Sequence, residues 1–305
     1  MKILIAGASG FIGTELVTAL EQSHTITVLG RSSKQLDKSF SQTTNKVSWQ
    51  DLDALDPKQF DVVINLCGSN IGEARWSPKV KLELINSRVS TNRILIQWLI
   101  NQNAKPRYIC ANAVGIYGMQ TNGDKIVFDE NSPIDVNNPK DFLSEIGIAW
   151  QQALTPAIDY GMSVTSLRFG VVLQKHKGML KKLELPFYLG LGSVLGDGEQ
   201  LISWIDSADL IAAILFILEH PDISGPINLT SPNPVSQRQF AKTFAKVLHR
   251  PLIVTTPVSI IKLLFGEMGE CLLLKGQGVV PKRLLELGFH FKYPSLVESL
   301  NKEYQ

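Results

Sequence analysis

The sequence predicts an α/β fold: a doubly wound parallel sheet followed by a smaller C-terminal lobe on the substrate side. Three observations predict it. Short apolar runs alternate with helical segments through residues 1–172. Those runs are apolar throughout instead of alternating with polar residues, as strands covered by helices on both faces must be. The chain also opens on a strand, a glycine-rich turn and a helix within its first twenty residues.

Lys2–Ala6 is the first apolar run and reads as a buried strand. Gly7, Gly10 and Gly13 follow at three-residue spacing, and Phe11–Leu20 carries helical periodicity. Gly7 allows the tight turn, Gly10 lets backbone N–H groups approach a diphosphate, and Gly13 lets helix and strand pack closely. The positive end of the helix dipole then faces the anion, which makes this a Rossmann-type dinucleotide-binding unit. Further strands are predicted at 25–29, 46–49, 62–66, 108–111 and 163–168, with helices at 79–101 and 142–160. Sheets of this kind bind ligands beyond the carboxyl ends of their strands. That rule gathers residues 7–13, 30–31, 67–71, 112–117 and 169–172 into one cleft. From 173 onward the pattern is less regular, with Gly/Pro-rich turns at 189–198 and 231–234. The expected division is therefore a cofactor domain at 1–172, completed by 203–230, and a lobe made of 173–202 and 231–305. A helix is expected at 209–219, and the Met and Leu residues of 261–274 read as core.

At 305 residues, 44% hydrophobic and 19% charged, the composition is that of a globular protein with a large core. A net charge of +2 gives no reason to expect nucleic acid or an anionic membrane as a partner. The longest apolar run, 210–218, is too short to span a bilayer, and the start of the chain carries no secretory pattern. Cys67, Cys110 and Cys271 are widely spaced in apolar surroundings, as reduced core thiols would be, and the five histidines show no metal-ligand spacing. A cytoplasmic protein with a small-molecule substrate and no metal is expected, as a monomer or a homodimer.

Strands at the second position of this fold usually end on a carboxylate that binds the ribose hydroxyls of NAD. Here the chain reads Gly30, Arg31, Ser32. A guanidinium pairs bidentately with phosphate, so Arg31, helped by the Ser32 hydroxyl, favours NADP(H) over NAD(H). A solvated loop charge is the plainer alternative for Arg31.

These residues resemble the extended short-chain dehydrogenase/reductases, and among them the YfcH-like epimerase-family proteins. The likeness rests on GASGFIG at 7–13, VLGR at 28–31, NLCG at 65–68, Arg75 with Trp76, Ser87 with Arg88, VGIYG at 114–118, LRFGVVL at 167–173 and GDGEQ at 196–200. It continues through VVPKRL at 279–284 to Gly288 and Phe289. The resemblance implies an NADP(H) site formed by Gly7, Ser9, Gly10, Phe11, Ile12, Gly13, Arg31, Leu66, Cys67, Gly68 and Ala111, to which Ser32 is added from its place beside Arg31; Arg168, ending the sixth strand, reads as structural, pairing with cleft carbonyls or with the cofactor.

The wider superfamily carries Tyr-x-x-x-Lys on the helix before the sixth strand, and a Ser or Thr after the fifth. Aligned through Trp150, the Tyr and Lys positions fall on Leu143 and Gly147, and the Ser position on Asn112. None of the three can pass a proton in the usual way. Tyr117 and Asn112 are the remaining catalytic candidates, with a packing or cofactor-stacking role the stronger reading of Tyr117; Ser144 and Glu145 lie beside the vacant positions. Glu73, Arg75, Trp204 and Asp206 are candidate substrate contacts, with Asp206 equally suited to cap the helix that follows. Arg88 reads either as a retained family residue or as a helix-surface salt bridge. The leading functional expectation is an epimerase-family oxidoreductase that moves hydride to or from a small polar substrate, nucleotide-sugars among them. The alternative is a non-catalytic NADP(H)-binding sensor.

Overall fold

A computed structural model describes residues 1–121, 124 and 126–305. Seven strands form the central sheet: Lys2–Ala6 (β1), Thr25–Gly30 (β2), Asn45–Ser48 (β3), Val62–Asn65 (β4), Arg107–Ala113 (β5), Val164–Phe169 (β6) and Gly225–Leu229 (β7). Their order is β7-β6-β5-β4-β1-β2-β3, and every neighbouring pair is parallel. The chain starts in the middle of the sheet, winds outward through β2 and β3, then returns to build the other half from β4. The reversal between β1 and β4 opens a crevice at their carboxyl ends.

Helices cover both faces. Phe11–Leu20 (α1) and Ser207–Glu219, which becomes α5 below, bury Leu16, Val17, Leu20, Leu210, Ile214 and Ile217 against one face. Pro78–Asn101 (α2) and Phe142–Gln152 (α3) bury Leu95, Ile96, Leu99 and Trp150 against the other. Ile3, Leu4, Ile5 and Ala6 are wholly buried because each side of β1 meets one of these layers.

Three boundaries differ from expectation, each for a local reason. The predicted helix 142–160 is two helices, α3 and a short one at Thr155–Asp159 with Pro156 in its first turn. Pro156 has no N–H to offer the carbonyl of Gln152 and its ring collides there, so α3 stops at Gln152. β3 ends at Ser48, whose hydroxyl donates to Asp51 (2.5 Å) as Trp49 opens a 3₁₀ turn. β7 was not legible as a strand: Gly225 and Pro226 open it at the sheet edge, where a missing N–H costs little.

Gly178–Tyr188 (α4), Gln237–Val247 (α6) and Leu296–Tyr304 (α8) surround Phe187, Trp204, Phe240, Phe244 and Leu300, while Ser207–Glu219 (α5) packs on the sheet. Val258–Gly269 (α7) is interrupted at Gly266, which sits at φ 58° and ψ −139°. The last residues reach back toward the start of the chain. Glu303 accepts from the Lys175 N–H (2.6 Å), and Tyr304 donates to Glu184 (2.7 Å), which also holds the His176 N–H (2.7 Å). The segment they hold lies on α1: Gln174 donates to Glu15 (3.2 Å), and Gly178 faces the Phe11 ring. Among the described residues no helix is long and apolar enough to cross a membrane, and no group of His, Cys, Asp and Glu could hold a metal.

Candidate functional site

The crevice begins at the glycine turn. Gly7 has φ +76°, and a Cβ there would lie 2.7 Å from the Leu66 carbonyl carbon and 2.8 Å from the Cys67 nitrogen. Gly13 is as tight, with a Cβ falling 2.5 Å from the Ala8 carbonyl oxygen. These two glycines bring β1, α1 and the end of β4 to backbone contact. Gly10 is different: its Cβ would meet only the Gly7 oxygen at 3.2 Å, so its bareness serves what lies outside. No side chain caps α1, no acid occupies its first turn, and Ser9 and Gly10 are exposed. The first-turn N–H groups of Phe11, Ile12 and Gly13 have no helical acceptor. An uncapped, acid-free helix end of this kind attracts an anion.

Arg31 is exposed at the end of β2, and Ser32 precedes the short helix Ser33–Ser39 without its hydroxyl capping it. β2 and β4 both run parallel to β1, one on each side of it, so the ends that carry Arg31 and Cys67 face one space. Burial pushes the Cys67 thiol up to about 12, which leaves it neutral.

The loop after β4 is fixed from beneath. Asn65 donates to Asn92 (2.7 Å) and Thr91 (3.2 Å) and accepts from the Cys67 N–H (3.0 Å); the Ser69 N–H donates to Ser87 (3.0 Å). Arg88 is no surface salt bridge. It is 9% exposed, donates to the carbonyls of Ser69 and Leu84 (2.9 Å each), and lies over the Trp150 ring at 5.0 Å. A Cβ on Gly68 would sit 3.2 Å from the guanidinium carbon. Burial brings the Arg88 pKa down to about 10, and among the described residues no carboxylate pairs with it. The signal was in the spacing: Leu84, Arg88, Asn92, Leu95 and Leu99 share the buried stripe of α2.

At the positions where the superfamily places its Tyr and Lys, the space is filled. A Cβ on Gly147 would lie 2.7 Å from the Ile116 Cβ and 2.8 Å from its Cα; Gly115 faces the Leu143 Cβ at 3.2 Å. α3 is thus interlocked with the 3₁₀ turn Val114–Tyr117. Both catalytic candidates prove occupied elsewhere. Asn112 is 1% exposed, donating to the Gly147 carbonyl (3.2 Å) and accepting from the Ala113 N–H (2.8 Å). Tyr117 is buried, stacked on Phe128 with ring centroids 5.2 Å apart; its phenol donates to Asn228 (2.9 Å) and accepts from Arg168 (2.8 Å). Burial raises the Tyr117 pKa, so the phenol stays protonated. Arg168 is likewise turned inward, to Tyr117 and Gln151 (3.3 Å), with its Nε unpaired. Ser144 is spent in a capping box with Asp141, while Glu145 is exposed. Ala111 is buried under the strand ends.

Glu73 and Arg75 are exposed on the loop that follows Gly68. Trp76 anchors that loop, donating to the Ile71 carbonyl (2.9 Å) and meeting Phe142 edge-on at 4.9 Å. Residues of α4 and α7 lie beside the same loop: Lys182 donates to the Gly72 carbonyl, Arg75 lies against Gly266, and Glu267 pairs with Lys81 in the first turn of α2 (2.7 Å). Trp204 and Asp206 are not part of this mouth. Trp204 is fully buried and donates to the Asn233 carbonyl (3.0 Å). Asp206, also fully buried, caps α5 through the Ala208 N–H (2.8 Å) and accepts from Ser299 (2.7 Å) and Lys302 (2.9 Å). The capping reading of Asp206 holds; its acceptor capacity is used inside the fold.

Known proteins resemble this chain in sequence and fold. Residues 3–229 match the model of the NAD dependent epimerase/dehydratase family, and residues 256–302 match a domain of unknown function, DUF1731. Epimerase family protein YfhF of Bacillus subtilis is 34% identical over 307 residues, covering 99% of this chain and 97% of its own. The crystal structure of human epimerase family protein SDR39U1 with NADPH superposes with a TM-score of 0.88 at 28% identity, covering 100% of this chain and 99% of that one. A nucleoside-diphosphate sugar epimerase from Corynebacterium glutamicum gives 0.75 at 26% identity, covering 100% of this chain and 58% of its own.

Proposed function

The chain belongs to the NAD dependent epimerase/dehydratase family, and on that premise we propose that it is an NADP(H)-dependent oxidoreductase acting on a small polar substrate. One observation carries the cofactor reading: the uncapped N-terminus of α1 behind a turn in which Gly7 and Gly13 leave no room for a Cβ. A diphosphate fits that end, with the N–H groups of Phe11, Ile12 and Gly13 as donors. Arg31 and Ser32 are assigned to a 2′-phosphate, and Leu66, Cys67 and Gly68 to one wall of the site. Support for the phosphate comes from the NADPH in the human structure. Residues 1–172 with 203–230 form the cofactor unit in this reading, and 173–202 with 231–305 the lobe that closes the cleft.

The nicotinamide supplies or takes up a hydride when bound. The chain's own groups do the rest. Arg88 holds the Ser69 carbonyl and so the wall of the cofactor site. Glu73 and Arg75 are the exposed charges at the mouth, suited to bind a polar substrate and to polarise its carbonyl. No Tyr–Lys pair is present to move a proton, so the proton is assigned to the substrate, to solvent or to Glu73. Nucleotide-sugars enter as candidates through the Corynebacterium relative.

The Gly147–Ile116 interlock favours a second reading, a cofactor-binding sensor without turnover. Titration with NADPH and NADH, then a panel of nucleotide-sugars, ketones and aldehydes with product analysis, separates the two. NADPH oxidation or an epimerised product establishes the enzyme. Tight NADPH binding with no product across the panel moves the assignment to the sensor, and equal affinity for both cofactors removes the 2′-phosphate role of Arg31.

A further inference from the structure

One face of the C-terminal lobe is unusually apolar for a surface. Leu185, Leu189 and Leu191 are 62–66% exposed, Ile253 83% and Leu263 76%, with Ile260 and Leu264 beside Leu263 on α7. These side chains belong to one continuous strip. Arg250 donates to the Tyr188 carbonyl (2.8 Å), Gly190 faces Pro251, Val254–Thr256 pairs in parallel with Ser193–Leu195, and Val258 packs toward Gly196. Isolated exposed leucines need no explanation, but seven exposed leucines and isoleucines gathered along one strip do.

Charge identifies what covers it. Residues 175–192 and 246–270 contain Lys175, Lys177, Lys181, Lys182, Lys246, Arg250 and Lys262 against Glu184, Glu267 and Glu270, of which Glu267 is paired with Lys81 and Glu270 with Lys262 and Lys275. Glu184 is itself taken up by His176 and Tyr304. Among the described residues no carboxylate pairs with Lys177, Lys181, Lys246 or Arg250. Elsewhere in the chain acids outnumber bases, so the net charge of +2 is an average over two unlike parts. Exposed leucine and isoleucine ringed by lysine and arginine that no carboxylate neutralises is the pattern of a surface that lies in the headgroup region of a bilayer. A second copy of this chain would bring the same cations against each other, and an ordinary protein partner gives no reason for so one-sided a rim.

We infer that this face docks on anionic lipid bilayers, with Leu189, Leu191, Ile253 and Leu263 entering the interface and Lys177, Lys181, Lys246 and Arg250 facing the headgroups. None of these residues belongs to the cofactor site, so the inference stands apart from the catalytic reading.

The test is sedimentation of the full chain with vesicles of phosphatidylcholine alone or with about one-third phosphatidylglycerol, an amount that gives a strong surface potential. Binding is expected only to the anionic vesicles and should weaken steeply with salt. The pair Ile253→Asp/Leu263→Asp and the pair Lys181→Glu/Lys246→Glu should each lower the partition coefficient about tenfold or more, while NADPH affinity and melting temperature stay unchanged as proof of folding. Absence of binding to anionic vesicles overturns the inference. So does binding that both variant pairs leave intact. A wild-type dimer in light scattering that Ile253→Asp/Leu263→Asp converts to monomer, with no vesicle binding, assigns the face to a second copy instead.

Discussion

Replacing Gly147 by alanine sets two effects of known sign against each other. Glycine inside a helix is unfavourable relative to alanine by about 1 kcal/mol, so the substitution alone should stabilise α3. In this fold the new methyl would stand 2.7 Å from the Ile116 Cβ and 2.8 Å from its Cα. Neither atom is the end of a flexible side chain, and Ile116 is 2% exposed inside its own cluster. Overpacking at such a contact costs about 1–3 kcal/mol, so the net expectation is a loss of up to about 2 kcal/mol. Ile116→Ala alone should cost about 2–4 kcal/mol as a large-to-small change in a buried cluster. The double variant should recover about 2 kcal/mol of the sum, because removing Ile116 makes room for the methyl. Urea unfolding of the four proteins measures the coupling directly. A Gly147→Ala protein more stable than wild type, or single effects that simply add, would refute the interlock and reopen the space for a catalytic side chain.

Arg31→Asp should weaken NADPH binding by about 1–3 kcal/mol more than NADH binding, read by fluorescence titration of both cofactors. Tyr117→Phe leaves the Arg168 Nη1 and the Asn228 Oδ1 without their partner, so it should lower stability by about 1–3 kcal/mol while any turnover survives in proportion to folded protein. Complete loss of turnover in a folded variant would return Tyr117 to the mechanism. Burial raises the Glu130 pKa above its ordinary 4.5 even though its carboxylate accepts the Asn228 and Arg283 N–H groups. Its protonated form is therefore favoured by folding, and that contribution is present at low pH and is lost as pH rises past 4.5 through the folded value. Relative to Glu130→Gln, the wild-type stability curve should fall across that window, and parallel curves would contradict the assignment.

Much of this architecture could be read from the chain because its signals are local. Lys2–Ala6 is apolar all round since both sheet faces are covered, and the three glycines mark places where backbones meet. The family resemblance likewise predicted the match of both segments of the chain. What failed to show was direction. Tyr117, Arg168 and Asn112 stand at strand ends, where the cleft was expected, yet their side chains turn inward to partners 35 to 111 residues away. Trp204 and Asp206 follow the same rule, since a long-range partner such as Ser299 leaves no trace in the local pattern. β7 was hidden by a glycine and a proline that an edge strand tolerates.

The grip of α8 on residues 175 and 176 ties together parts of the chain that are far apart in sequence. The segment that lies against Phe11 is fastened by Glu303 and Tyr304 of α8. β1 can pair with β2 and β4 without α8, while this side of the glycine turn stays unlatched until α8 has docked. A change at Glu303 or Tyr304 would therefore be felt beside the glycine turn, far in sequence from where it is made.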